Sequence, residues 1–266
     1  MTVPLLSAGI AGIGFWARGL PSWQAACAYL TSDALPADAP ARPSPQLLAP
    51  NERRRAPETV AVALEVALAA CIAAGRDPAT LPSVFASTHG DLNITDYMCE
   101  TLASEPRSLS PTRFHNSVHN AAAGYWTIGA GAMAPATAIS ASDASFAQGL
   151  LEALAQLATG TEAVLLAACD GHATGPVARV SRSQGLLGAA LLLVHEPAPG
   201  MPRLRVRVEE DEPMDPTQAD GPLSLFLAGN AMAPMLPLFE ALALRRAQVV
   251  LGAGHGTSLR IGIVHD

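Results

Sequence analysis

The stretch ATAISASDASFAQGLLEAL, 136–154, reads as a buried strand, a tight turn and a helix start, with Asp143 on the turn. A helix start carries unpaired N–H groups and partial positive charge. A cysteine placed there would lose its proton readily and act as a nucleophile. A carboxylate gains the same stabilisation, which would lower its pKa, but it attacks acyl groups poorly. The plainer role is helix capping, by Asp143 or by Ser142 beside it. Upstream, FHNSVHNAAAG sets His115 and His119 four residues apart, with Asn116 and Asn120 beside them. On one helix such a pair could bind a metal, but neither a third ligand nor a glutamate accompanies it. A polar loop leading into a helix is the preferred reading, and no metal is expected. CDGH, 169–172, ends an apolar run and offers Asp170 and His172 either to a site or as a polar strand exit. The glycine-rich GIAGIG (9–14) and GAGHGTS (252–258) lack the acidic residue and strand–helix setting of a dinucleotide fingerprint and read as tight turns. No GxSxG elbow and no phosphate-binding P-loop occur.

The elements that would position these residues follow from hydrophobic period and from glycine and proline. Strands are predicted over 3–12, 81–88, 134–140, 162–170, 186–196 and 203–211, the last two as a pair. Two more flank the glycine turn within 248–264. EAVLLAACD, 162–170, is continuously apolar, as in the middle of a covered sheet. Helices are predicted over 21–31, after the loop that begins HGDLN, and over 117–131, 144–158 and 230–246. Another starts at Pro57, is striped by Val60, Leu64, Ala67, Leu68 and Cys71, and stops at Gly75. Residues 33–50 and 212–222 are proline-rich loops. Strands alternating with helices imply an α/β fold with a largely parallel or mixed sheet and helices on both sides.

With 266 residues, half of them hydrophobic and 15% charged, the chain can build a substantial core. A net charge of -7, with no basic run beyond Arg53-Arg54-Arg55, argues against nucleic acid. No apolar run reaches the ~18–20 residues of a membrane span, and the N-terminus lacks a signal peptide's basic start. Cys27, Cys71, Cys99 and Cys169 form no CxxC pair, so neither a disulfide framework nor zinc is expected, and a reducing cytoplasm is the simplest location.

Taken together, the segments resemble the β-ketoacyl synthase family, of thiolase-like fold. AISASDASF falls on the family's strand–turn–helix pattern SISSACA(T/S)S. Ile139-Ser140 match its entry, Ala144-Ser145 its exit, and Asp143 stands at the cysteine that would receive the acyl chain. SPTRFHNSVHNAAAGYWTI resembles the segment ending VNxxAGH, with Asn120 and Gly124 in place. EAVLLAACD resembles the strand ending AGGxE, SQGLLGAALLLVHE resembles GxVxGEGAGVLVLE, and RLRVRV the first strand of the second half. The HGTGT strand, with the first catalytic histidine, has no counterpart; the gap falls at about 212–222. LAGNAMAPMLPLFEALAL resembles TGHxxGAAGxxEAxxxxL, with Asn230 where the second histidine belongs. VVLGAGHGTSLRIGIV resembles the closing SFGFGGxNxxLVL hairpin, with Ala253 near the gating phenylalanine. The chain is similar to the short β-ketoacyl synthase-like proteins of bacterial aryl-polyene (xanthomonadin-type) pigment clusters, which act as chain-length-factor-like partners of a complete ketosynthase.

The resemblance implies a layered α-β-α-β-α architecture truncated in its C-terminal half. It divides into a ketosynthase-like part, 1–200, and a shortened remnant, 201–266, within one compact domain. It implies loss of the cysteine and both histidines, and so no condensation by this chain alone. His115, His119, Asn120, Asp143, Ser145, Asp170, Asn230 and Ala253 would line any pocket that persists. Asp143 should find donors such as the N–H groups of Ser145 or Phe146, or else be partly exposed. The strand Ala134, Pro135, Ala136, Thr137, Ala138 and Ile139 would pair across a two-fold with an active ketosynthase, or with a second copy. No cofactor is implied. An acyl carrier protein would be reached through the partner, because the acidic chain disfavours docking an acidic carrier. An enzyme with a repurposed hydrolytic or acyl-transfer site around Asp143 and His115/His119 is the alternative.

Overall fold

The computed structural model describes residues 5–210 and 220–265. Its strands are β1 (Leu6–Ala17), β2 (Ser83–Ala86), β3 (Ala136–Ile139), β4 (Ala163–Asp170), β5 (Leu187–Val194), β6 (Arg203–Glu210), β7 (Gln248–Gly254) and β8 (Thr257–Val264). They form one mixed sheet in the order β3-β2-β4-β5-β1-β6-β8-β7. β3, β2 and β4 run parallel, and every other neighbour is antiparallel. β5 and β6 do not pair with each other as expected. β1 lies between them, pairing Leu6–Gly9 with β6 and Gly9–Ala17 with β5. It can serve both ladders because it continues to Ala17, five residues past its predicted end.

That length corrects a second expectation. GIAGIG is not a turn but the body of β1, and its glycines are there for close approach. A Cβ on Gly14 would lie 1.9 Å from the Val66 carbonyl oxygen, and one on Gly12 would lie 2.1 Å from that of Ala70. Both carbonyls belong to α3 (Glu58–Ala74), whose backbone therefore rests directly on the strand. α3 ends as predicted at Gly75, in the left-handed region at φ 61°.

The other helices are α1 (Trp23–Ser32), α2 (Pro50–Arg53), α4 (Leu92–Ser104), α5 (Pro111–Asn116), α6 (Ala121–Ala130), α7 (Ser145–Ala158), α8 (Pro222–Phe226) and α9 (Leu236–Ala243). The helix predicted over 117–131 is shorter, because 117–120 form a turn. α9 is shorter than 230–246, because Pro234 and Pro237 lack N–H donors and suit only a helix's beginning. The proline-rich loop predicted over 212–222 falls largely on 211–219, outside the described residues, and Pro222 opens α8.

The layers follow from two apolar clusters. One holds α3 and α6 against one sheet face through Trp16, Leu64, Phe85, Trp126 and Leu192. The other surrounds α7 and α9, where Phe146 and Phe15 meet Phe239 at 5.9 and 6.1 Å. α7 touches β1, β2 and β4 on one side and β7 on the other, so the sheet folds over the two helices. The order α7, β4, β5 beside β1 recurs as α9, β7, β8 beside β6. Among the described residues, the second set has no outer helices. Leu204, Val206, Leu259 and Ile261 face the core, while Arg205, Arg207 and Arg260 alternate with them and are exposed. No described helix is long and apolar enough to cross a membrane.

Candidate functional site

β3 delivers the chain to the turn before α7. Ser142 takes a left-handed conformation at φ 51°. Ala144 N–H donates to the Ala141 carbonyl at 3.0 Å, and Ser145 N–H to that of Ser142 at 3.0 Å. The Ser145 side chain closes the turn, accepting from Ala141 N–H at 2.9 Å and donating to the Ser142 carbonyl at 2.7 Å. Neither Asp143 nor Ser142 caps the helix. The cap position is Ala144, with no side-chain bond, because the turn is already held by Ser145. Asp143 thus precedes the helix by two residues, is exposed, and accepts no hydrogen bond from Ser145, Phe146 or any other described residue. Of its two expected solutions it takes exposure. Ala253 lies beside this turn: its carbonyl accepts from Gln148 Nε2 at 2.7 Å, and a Cβ on Gly254 would meet Ala144 at 3.5 Å.

A second group gathers where β2 and β4 end. Asp170 is 1% exposed. Its carboxylate accepts from Ser87 Oγ at 2.8 Å, Thr88 N–H at 2.9 Å and His89 N–H at 3.2 Å. Burial pushes its pKa above the usual carboxylate range, and these donors pull the other way. His119 Nε2 lies 2.8 Å from the Ser87 carbonyl, which can only accept, so the ring carries its proton on that nitrogen. Asn230, 4% exposed, points Nδ2 at the carbonyls of Asp170 and Gln184, each at 3.1 Å, and of Gly185 at 3.4 Å. Its Oδ1 accepts from Met232 N–H at 2.9 Å. Both N–H donors of that amide are thus spent inside the protein. Cys169, next to Asp170, is buried and its thiol pKa is pushed up by desolvation, so it is no nucleophile at neutral pH.

Thr88 joins the groups. It accepts at its carbonyl from Ser140 Oγ at 3.0 Å, and its hydroxyl faces the Ser142 carbonyl at 3.4 Å. The structure therefore brings Asp143, Ser145 and Ala253 around the start of α7, and His119, Asp170 and Asn230 around the end of β4. It leaves His115 and Asn120 exposed and without hydrogen bonds to either group. His115 lies in the last turn of α5, which ends at Asn116, and His119 sits in the turn that follows, so the pair shares no helix face. No two of His115, His119, Asp143 and Asp170 are hydrogen-bonded, so no nucleophile–base pair is assembled. Among the described residues no three His, Cys, Asp or Glu side chains converge to hold a metal. Ser87, Thr88, Gln148 and Gln184 were not singled out from sequence. The signal for the first two was the polar run STHGD directly after an apolar strand.

β3 is an edge strand. The carbonyls of Pro135 and Ile139 accept from Ser83 and Ser87 N–H at 3.0 and 3.1 Å. With the two-residue period, the backbone groups of Ala136 and Ala138 then point outward. α6 packs beside β3. Near it stand Ile128 and Met133, 80% and 95% exposed.

Residues 23–226 match the model of the β-ketoacyl synthase N-terminal domain. No curated protein matches the chain in sequence. Solved structures do match in fold. One is a ketosynthase (ApeO) in complex with its chain length factor (ApeC) from Xenorhabdus doucetiae, with TM-score 0.74, 23% identity, and 97% of this chain and 99% of the matched one covered. The ishigamide ketosynthase/chain length factor gives 0.71 at 15% identity, with 97% and 99% covered. A β-ketoacyl synthase from Burkholderia phymatum STM815 gives 0.59 at 16% identity, covering 89% of this chain but 71% of that one. The expected thiolase-like ketosynthase fold is thus present.

Proposed function

The chain belongs to the β-ketoacyl synthase family, and from that premise we propose that it is a non-catalytic, chain-length-factor-like subunit. It pairs with an active β-ketoacyl synthase that makes an aryl-polyene or related fatty-acid-type polyketide chain. The observation that carries this reading is the combination at the end of β3: an unpaired strand edge beside a nucleophile turn that holds an exposed carboxylate. An aspartate forms no thioester. Asn230, standing at a histidine position by resemblance, has no donor left for an enolate oxygen, and the resemblance offers no second histidine. What remains suited to use is the edge, with Ala136 and Ala138 offering backbone hydrogen bonds and Ile128 and Met133 offering apolar area. The extent of the structural matches supports the same reading. The matches to these two structures take in 97% of this chain and 99% of the other, whereas the match to the Burkholderia synthase takes in 71% of that chain.

In this arrangement the partner's cysteine takes the acyl group from an acyl carrier protein, and this subunit shapes and bounds the pocket in which the chain grows. The pair would work in the cytoplasm. The test is co-expression with the ketosynthase encoded beside it. The two should co-purify as a heterodimer and form polyene only together, while this chain alone forms no carbon–carbon bond. A chain that purifies alone or as a homodimer in the ketosynthase's presence, or that condenses malonyl units unaided, overturns the proposal.

A further inference from the structure

The outer face of β6 and β8 carries a concentration of one charge. Arg203, Arg205 and Arg207 occupy alternate positions of β6, and Arg207 lies directly across from Arg260 of β8. Like charges placed opposite each other on one sheet face repel. A surface that needed only wetting would be served by threonines or by mixed charges. Among the described residues, the ion pair on this face joins Glu209 to Arg260: Glu209 Oε2 accepts from Arg260 Nε at 2.7 Å. Arg203, Arg205 and Arg207 make no ion pair among the described residues. Gly262 opposite Arg205 leaves the floor between the side chains flat. The chain as a whole carries -7, so this face is a local inversion of its field.

We propose that this face docks an acidic helix of a protein partner. Arginines two apart on a strand are spaced about 6.8 Å. Carboxylates four apart on a helix are spaced about 6 Å. A helix laid along β6 can therefore meet Arg203, Arg205 and Arg207 in turn, with Arg260 reaching it from the side, each guanidinium able to pair with a carboxylate. A compact acidic helix touches only this face. A nucleic acid would extend past it onto a chain whose net charge is -7, which disfavours it. The docking surface is separate from the β3 edge and does not depend on the pairing proposed there.

The test uses the full chain and two labelled peptides of equal composition, measured by fluorescence anisotropy. One is helical with glutamates at i, i+4 and i+8 on a single face; in the other the same glutamates are scattered around the helix. The single-face peptide should bind, and Arg205→Glu with Arg207→Glu should weaken it by about tenfold or more. Arg54→Glu with Arg55→Glu, also exposed and equal in charge change, should alter binding far less. Circular dichroism establishes that each variant is folded. Equal binding of the two peptides, equal loss in both double variants, no measurable binding, or tighter binding of duplex DNA overturns the inference.

Discussion

Asp143 and Asn230 stand where the family's chemistry would be carried, and their surroundings differ in kind. Asp143 is exposed and its side chain is bonded to none of the described residues, so the described fold does not lean on it. Asn230 is buried, with its amide shared among three carbonyls and one N–H. Asn230→Ala should cost about 3 kcal/mol in chemical denaturation, because it strands buried carbonyls of Asp170 and Gln184 without a donor. Asp143→Ala should leave the denaturation midpoint where it is. A reversed order would mean that the carboxylate, not the amide, holds this end of the sheet. The sequence showed Asp143 readily, since strand, turn and helix are local patterns. It could not show what Asn230 does, because its partners are backbone carbonyls and a carbonyl has no residue type. The capping role read for Asp143 failed for a related reason. Ser145 already spans the turn, and nothing local ranks one hydroxyl above a carboxylate two residues away.

At the scale of elements, the strands and helices were mostly legible, and the errors share a cause. Sequence pattern alone ends β1 too early, because the glycines inside it look like turn residues. Periodicity reports one element's own faces and is silent about how near another backbone comes. Here α3 sits so close that side chains on Gly12 and Gly14 have no room. Gly14→Ala should therefore destabilise the fold by about 3 kcal/mol, at the upper end of overpacking costs. Gly124→Ala is the contrast: in α6, with nothing within 4 Å of its would-be Cβ, it should stabilise the isolated chain by up to about 1 kcal/mol. Urea denaturation of the two variants separates glycine kept for space from glycine that merely loosens a helix. The recurring arrangement of α7, β4, β5 and α9, β7, β8 was invisible for a similar reason. β5 is buried on both faces, whereas β8 has one open face, so equivalent strands carry different patterns.

For the whole molecule, the sheet has two ends, β3 and β7, and β3 is the one whose chain leads directly into the nucleophile turn. β3 is four residues long and pairs on one side only, so a chain relying on it for assembly is sensitive to a single outward N–H. Ala138 supplies such a group. Proline there removes the outward donor while sparing the inward ladder, which runs through Pro135, Thr137 and Ile139, and edge strands tolerate proline at outward positions. Ala138→Pro should therefore fold with an unchanged circular dichroism spectrum and lose the ketosynthase partner in co-purification. A two-fold contact uses each edge against its mate, so the same substitution would also dissolve a homodimer, and light scattering of the isolated chain reads that directly. If Ala138→Pro still co-purifies with the ketosynthase, the contact lies elsewhere and the β3 edge is an unused end of the sheet.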